Sequence, residues 1–334
     1  MRSFGHVSCG YVWLSLLLMS LGCQRTLDQS PPSKIVITSD EPLEATCCAL
    51  SPDQKLLVVG LRGRLYRDPD FADPGAVVII DTKTFTVIHK IEVRIPVSKI
   101  AFSPEGQSTY VATGGAHPEL YDAPLKACRD CAMGQVICFS TRSWKRIATV
   151  PFPGTVLDVT CRSNQVFVTG AISLEVGFAA SLDADDLSNS QQTLEVTGTR
   201  QHLSFVNENV IHLRSMRAPY DQFVYLQEDF ANCEVSDVLR SSPDRLTDFV
   251  FGADHDHFKG KNYSIRKYEG RDHLKVAVGE YEGQPSWFIL ADDKLLMHHP
   301  RGRVEWPRQI AVDTSNRRAY VASSNTVECV EFNQ

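Results

Sequence analysis

The sequence repeats itself, and this repeat restricts the fold more than any other feature of the chain. Residues 75–85, GAVVIIDTKTF, return as residues 134–144, GQVICFSTRSW. Each copy follows a second shared segment, in which a Ser-Pro-acid turn at residues 51–53 or 103–105 leads into a short apolar stretch. Self-similarity of this kind is typical of arrays in which each copy is one supersecondary unit. The sequence therefore predicts a repeat architecture.

Each repeat unit divides into four short strands separated by turns, which is the pattern of one blade of a β-propeller. We therefore predict an all-β chain of four-stranded blades. The first three blades have predicted strands at 45–50, 56–61, 76–81 and 86–93, at 97–102, 109–114, 135–140 and 145–152, and at 156–161, 165–170, 177–182 and 193–197.

The number of blades follows from the length of the repeat. At about 40–45 residues per blade, residues 35–334 hold seven blades. Six is the alternative, because the stretch from Tyr281 to Trp306 is short for a blade. The repeat blurs between residues 200 and 306, and the turn and apolar stretch at 242–252 are its clearest trace there. Near the end, strands at 309–313, 319–323 and 326–332 leave one blade a strand short. The predicted strand at 35–38 belongs to no other blade, so we expect it to complete the last one and close the ring. Closure of the ring covers a sheet edge that would otherwise be exposed.

The last repeat carries a family resemblance. Residues 319–323, AYVAS, followed by residues 325–331, NTVECVE, resemble the YVTN-type repeat of the WD-repeat-like propellers, and YVAT at 110–113 echoes it. That superfamily includes both binding proteins and enzymes. The resemblance therefore implies the propeller fold and leaves the function open.

The N-terminus has the pattern of an export signal. Arg2 precedes an apolar stretch at residues 11–21, and small residues Ser20 and Gly22 stand before Cys23. This pattern predicts a signal peptide at 1–22 and resembles a bacterial lipoprotein signal, which implies lipidation of Cys23. Residues 23–34 are polar and contain two prolines, which is typical of a tether. We therefore expect a propeller domain at 35–334 in the periplasm or cell envelope, attached to the membrane through an N-terminal lipid.

Charge and cysteine content restrict the partners. The net charge is −6 and no block of Lys or Arg is present, so nucleic acid is not an expected partner. Cys47, Cys138, Cys161 and Cys329 lie in apolar runs, where we expect free cysteines packed as small core residues. Cys128 and Cys131 have the spacing of a local disulfide, with a redox pair or half of a zinc site as alternatives.

The predicted loops differ in length at the two ends of the blades. The connections between second and third strands run from 62 to 75 and from 115 to 134, whereas the turns between third and fourth strands are minimal. Because long loops on a rigid scaffold usually carry binding, we predict the ligand-binding face there. Its candidate residues are Arg62, Arg64, Tyr66, Arg67, Asp68, Asp70, His117, Tyr121, Asp122 and Tyr220.

The strongest metal-like string is Asp254-His255-Asp256-His257, since imidazole and carboxylate are ligands of zinc, manganese and iron. Alternate residues of a strand face opposite sides, so a solvated loop is the simpler interpretation. The leading hypothesis is a non-catalytic scaffold without a cofactor that binds another envelope protein or an extracytoplasmic ligand. The alternative is a lactonase-like hydrolase that uses a divalent metal held by His117, Asp254, His255 and His257.

Overall fold

Four-stranded antiparallel sheets make up the computed structural model of the chain. The structure describes residues 34–38, 43–63, 75–93, 95–114, 134–173, 175–187, 191–198, 201–215, 220–239, 263–271, 274–281, 284–291, 294–300, 309–313, 315–323 and 325–331. These residues all belong to one unit, Ser33–Gln334. Within the described ranges no helix is long and apolar enough to cross a membrane.

In every described sheet except the closing one, the strands follow one another in sequence order from the first to the fourth. The first described strand is β1 (Lys34–Val36). Blade 1 consists of β2 (Leu43–Leu50), β3 (Leu56–Gly63), β4 (Gly75–Asp81) and β5 (Thr86–Val93). Blade 2 consists of β6 (Val97–Phe102), β7 (Ser108–Thr113), β8 (Gln135–Ser140) and β9 (Arg146–Pro151). Blade 3 consists of β10 (Thr155–Arg162), β11 (Gln165–Ala171), β12 (Val176–Asp183) and β13 (Gln192–Thr197).

The region in which the repeat blurs also forms blades. Blade 4 consists of β14 (Gln201–Asn207), β15 (Val210–Ser215), β16 (Tyr220–Tyr225) and β17 (Glu234–Leu239). Blade 5 consists of β18 (Tyr263–Arg271), β19 (Leu274–Tyr281), β20 (Gln284–Ala291) and β21 (Lys294–Pro300). Together with the closing blade, which is described in the next paragraph, the described residues form six sheets. The predicted turn and strand at 242–252 lie outside them, so the count of seven stays a prediction.

The closing blade joins the two ends of the propeller. It consists of β22 (Gln309–Asp313), β23 (Arg318–Ser323), β24 (Thr326–Glu331) and, as its outer strand, β1. Ile35 stands opposite Val327, and the Lys34 ammonium pairs with the Glu328 carboxylate at 2.8 Å. The prediction that the N-terminal strand completes the last blade is confirmed.

The hydrophobic core lies between successive blades. One cluster joins the closing blade to blade 1, and Phe85 packs against Tyr320 there with ring centroids 5.9 Å apart. Similar clusters join blade 1 to blade 2, blade 2 to blade 3 and blade 3 to blade 4. The cysteines predicted to be core residues, Cys47, Cys138, Cys161 and Cys329, are free and buried or half-buried, as expected.

The repeated residues occupy equivalent structural positions. Phe85 and Trp144, which end the two copies, adopt left-handed backbone angles with φ of 50° and 56° and are buried. Ser51 and Ser103 are buried, and each hydroxyl accepts the N–H of the residue five positions on, at 3.0 Å. The repeat therefore encodes the turns as well as the strands of blades 1 and 2.

Candidate binding site at one end of the channel

Two long connections leave adjacent blades at the same end. One runs from Gly63 to Gly75 and the other from Thr113 to Gln135, and each joins the second strand of its blade to the third. We call this the long-loop end. The opposite, short-turn end carries tight turns such as the one at Asp81, where the carboxylate accepts the Thr84 N–H at 2.7 Å. The unequal loop lengths predicted from the sequence are therefore present in blades 1 and 2.

Two of the predicted site residues lie in strands. Arg62 is in β3, and its guanidinium lies 3.5 Å from the Glu44 carboxylate of the neighbouring strand. Tyr220, predicted to be in a loop, is the first residue of β16. The other predicted site residues lie outside the described residues, as does the predicted lipidation site. They are Arg64, Tyr66, Arg67, Asp68, Asp70, His117, Tyr121, Asp122, Cys128, Cys131, Asp254, His255, His257 and Cys23.

One position of the first strand is equivalent in all six blades, because in each blade it pairs with the fifth residue of the second strand. The residues at this position are Cys47, Lys99, Asp158, His202, Lys267 and Gln309. The second strand runs toward the long-loop end, so the position lies near that end. The first strands β22, β2, β6, β10 and β14 contact one another in series along the channel. We call Lys99, Asp158 and His202 the channel cluster.

Asp158 is the centre of the channel cluster. Its side chain is only 2% exposed, and its Oδ2 accepts the backbone N–H of Leu203 in the next blade at 3.1 Å. The Nδ1 atom of His202 lies 3.6 Å from the same oxygen. Asp158 Oδ1 is buried and has no hydrogen-bond partner among the described residues. The carboxylate therefore links blade 3 to blade 4 and keeps one oxygen available.

A second unpartnered atom belongs to the residue opposite Asp158 in the sheet. Thr169 stands directly opposite Asp158 on β11, and opposed residues of an antiparallel pair place their side chains on the same face. The Thr169 hydroxyl is also buried without a partner among the described residues. Because buried polar groups in folded proteins are normally hydrogen-bonded, this pair of atoms marks a place suited to a water molecule or a polar ligand group.

The charges of the cluster keep Asp158 ionised. Burial is the largest influence and by itself raises the pKa of the carboxyl group. The nearby Lys99 charge, the His202 imidazole and the Leu203 N–H act in the opposite direction, and the net effect is a pKa below the ordinary value. At neutral pH a carboxylate therefore stands behind a histidine whose side chain is 65% exposed.

The neighbouring cysteine does not add a nucleophile. Cys47 holds the equivalent position in blade 1 and is 1% exposed. Burial raises the pKa of its thiol to about 11, although the Lys99 charge lowers it in part. The thiolate is the reactive form of cysteine, so Cys47 is inert at neutral pH.

The arrangement resembles sites in which a carboxylate orients an imidazole. Because Nδ1 of His202 is the ring nitrogen nearest Asp158, Nε2 is the nitrogen left for a ligand or a metal. Within the described ranges, no group of three His, Cys, Asp or Glu residues is close enough to hold a metal ion. The cluster by itself provides an anionic, a cationic and an imidazole group for recognition of a polar ligand.

Sequence reasoning missed the channel cluster. Asp158 lies in an otherwise apolar stretch, and His202 lies where the repeat blurs. A signal was available for two of the three residues, because the alignment of blades 1 to 3 on their Gly-led third strands places Lys99 and Asp158 at one level. Both residues follow a β-bulge at the same place in the first strand, so the bulges preserve this equivalence.

Comparison with known proteins shows the fold. No family model and no curated protein matches the sequence. Hydrazine synthase of Kuenenia stuttgartiensis is similar in structure, with 9% identity, a TM-score of 0.55 and coverage of 88% of this chain and 97% of that one. The β-propeller domain of the Trilobed protease from Pyrococcus furiosus, which has an open velcro topology, is 10% identical with a TM-score of 0.51 and coverage of 89% of this chain and 97% of that one. The chain is therefore a β-propeller in fold.

Proposed function

We propose that the protein is an exported, WD-repeat-like propeller with YVTN-type repeats that binds another envelope protein or an extracytoplasmic ligand at its long-loop end. The observation that carries the proposal is the pair of long connections, Gly63 to Gly75 and Thr113 to Gln135, which leave neighbouring blades side by side. Arginine, carboxylate and aromatic residues in these connections are of the kind that anchor protein interfaces.

The blades beneath these loops are rigidly joined, which supports a recognition function. The Thr46 hydroxyl of blade 1 donates to the Val97 carbonyl of blade 2, and the Ser98 hydroxyl of blade 2 lies 2.7 Å from the Val156 carbonyl of blade 3. A scaffold whose blades are already joined in this way loses little conformational entropy of its own when a partner binds.

The partner-binding hypothesis is tested with the full-length protein carrying a C-terminal tag. Residues 64–74 are replaced by a Gly-Ser segment of equal length in one variant, and residues 115–133 in another. The matched control carries Lys83→Ser and Arg142→Ser, two exposed positions in turns at the short-turn end. We expect one envelope component to be captured by the parent and the control and lost from both loop variants. Equal capture by all four proteins would refute binding at the long-loop end.

Membrane attachment belongs to the same proposal and has its own test. Lipidation of Cys23 predicts that the parent protein partitions with membranes and that Cys23→Ser is released in soluble form. Mass spectrometry of the mature N-terminus checks the modification. An unmodified parent N-terminus would leave the propeller exported without an anchor and remove this part of the proposal.

The channel cluster favours a second candidate function, a metal-dependent hydrolase of the lactonase-like kind. Its supporting observation is the buried Asp158 carboxylate behind the exposed His202. In this candidate, His117, Asp254, His255 and His257 supply further ligands for a divalent metal, which would activate a water molecule. Metal analysis of the purified protein tests it, and less than one tightly bound transition metal per chain rules it out.

A further inference from the structure

The direction of β1 shows at which end the N-terminal segment enters the propeller. β1 is the outer strand of the closing blade and lies antiparallel to β24, with Lys34 opposite Glu328. β24 is the third strand of that blade and runs toward the short-turn end, so β1 begins on the side of the short-turn end. Residues 24–33 separate Cys23 from β1 and span at most about 40 Å when extended. A lipid at Cys23 would therefore hold the propeller to the membrane by the outer rim of its short-turn end.

The outer strands of the next two blades carry an exposed isoleucine at the same position. The core clusters place blade 1 beside the closing blade and blade 2 beside blade 1. In β5 the ladder shifts by one residue between the partners of Ile79 and Ile80, so Ile88 is the extra residue of a β-bulge. In β9, Ile147 is the extra residue of the equivalent bulge. Ile88 is 48% exposed, Ile147 is 60% exposed, and Val87 beside the first is 44% exposed.

Exposed basic side chains flank both isoleucines. No Asp or Glu lies between residues 140 and 151. In blade 1, the Asp81 carboxylate accepts the Thr84 N–H and hydroxyl, and Glu92 lies further along β5 toward the long-loop end. We define the basic rim as the exposed apolar and basic residues of these two strand starts, which are Val87, Ile88, Lys90, Lys145, Arg146 and Ile147.

The corresponding connections of blades 3 and 4 are acidic. Asp183, Asp185 and Asp186 are exposed from the end of β12 onward, and Glu228 and Asp229 are exposed between β16 and β17. A membrane surface with anionic lipid attracts Lys and Arg and repels carboxylates within a Debye length. The charges therefore favour contact of such a surface with blades 1 and 2, the same side of the ring as β1.

We propose that the basic rim docks on a bilayer that contains anionic phospholipid. Ile88 and Ile147 enter the headgroup region, and the three basic side chains pair with lipid phosphates. The proposal rests on the membrane attachment proposed above and gives it a second contact, because a lipid chain together with a basic patch holds a membrane more firmly than either does alone. Docking by the short-turn rim leaves the long-loop end free for another protein.

Vesicle sedimentation tests the proposal with purified residues 24–334, which contain all the described strands but neither the apolar segment 11–21 nor Cys23. The vesicles are phosphatidylcholine, either alone or with about 30% phosphatidylglycerol. We expect binding to the anionic vesicles at about 1 mM lipid and at least about tenfold weaker binding to the neutral ones. Lys90→Gln, Lys145→Gln and Arg146→Gln together should weaken binding to the anionic vesicles by at least about tenfold. Ile88→Ser with Ile147→Ser should weaken it by at least about fivefold.

A matched control removes apolar side chains of similar exposure from blades 3 and 4. Ile172 and Val206 are 46% and 57% exposed, and Ile172→Ser with Val206→Ser should bind the anionic vesicles as the parent does. Hydrogen exchange locates the contact, since anionic vesicles should protect β5 and β9 of the parent and leave β13 unchanged.

Two results would overturn docking by the basic rim. One is a parent chain that stays in solution with anionic vesicles at about 1 mM lipid. The other is binding of both rim variants as strong as that of the parent. Because residues 24–334 lack Cys23, neither result depends on lipidation, and failure of lipidation is seen separately in the mass of the native N-terminus.

Discussion

Asp158 is a buried residue whose charge contributes to stability. It is ionised in the folded protein because Lys99, His202 and the Leu203 N–H outweigh the effect of burial on its pKa. We predict that Asp158→Asn lowers the free energy of unfolding at pH 7 by about 1.5–3 kcal/mol, the range for hydrogen bonds to charged groups. Urea unfolding measures this, with Glu195→Gln on exposed β13 as the control.

The pH dependence of this effect has a defined sign. The folded pKa of Asp158 is depressed below 3.8, so its charge stabilises the fold above the unfolded pKa. That stability is lost as the pH falls through the folded value. The difference between parent and Asp158→Asn should therefore be constant from pH 7 to about 5 and shrink below about pH 4. A difference that grows toward acid pH would contradict this assignment.

The glycine that begins the repeat is needed for close approach of two blades. A Cβ atom on Gly134 would lie 2.6 Å from the Gly154 carbonyl oxygen and 2.8 Å from that of Thr113. The Gly134 N–H donates to the same Gly154 carbonyl at 2.7 Å. We predict that Gly134→Ala lowers the free energy of unfolding by about 2 kcal/mol or more, since backbone cannot move aside cheaply. Thermal unfolding against the exposed control Ser143→Ala measures the effect.

At the scale of elements, hydroxyl groups in the first strands connect successive blades. Thr46 donates to Val97 O, and its hydroxyl is also 3.1 Å from Gly60 O. Ser98 is the corresponding residue of blade 2 and reaches Val156 O. We predict that Thr46→Val and Ser98→Ala each lower stability by about 1–2 kcal/mol because they leave a carbonyl unpaired. Unfolding curves should show the two losses to be additive, and a stability equal to that of the parent in either variant would contradict the role.

The same elements show what the sequence could predict. The strands of blades 1 to 3 appear within one or two residues of their predicted bounds, because turn residues and apolar alternation repeat together there. Blade 4 lacks both the Ser-Pro turn and the leading glycine, and it holds polar residues such as Gln222 in buried positions. The sequence therefore predicts a loop at Tyr220, although this residue begins β16.

The channel cluster could not be predicted for a different reason. In blade 3, Leu157 occupies the position of Thr46 and Ser98 and has no hydroxyl, and Asp158 makes the contact with the next blade instead. The bulge that carries these positions is common to blades 1 to 3, so the exchange lies in the side chains alone. Periodicity in a single sequence does not show which side chain reaches the next blade, and the Asp158 contact with Leu203 is a contact of that kind.

For the molecule as a whole, ring closure by β1 is the feature most open to test. Deletion of residues 1–38 removes the partner of β24 together with Ile37, which is 4% exposed in the core of the closing blade. We predict a loss of about 3–6 kcal/mol, combining a buried isoleucine and several strand hydrogen bonds. The control is deletion of residues 1–32, which keeps β1. Chemical denaturation measures the stability of each variant. Light scattering measures the self-association that an exposed strand edge favours.

The closing blade also sets an order on biosynthesis. β1 is translated about 290 residues before its partner β24, and chains grow at about 5–20 residues per second, so β1 waits roughly 15 to 60 seconds for its place in the sheet. Blades 1 to 3 can form hairpin by hairpin during this interval, since each is continuous in sequence. The last pairing to form joins the first strand to the last. A nascent chain that is still emerging therefore cannot be a finished ring, and any quality control that senses an open sheet edge has this interval in which to act.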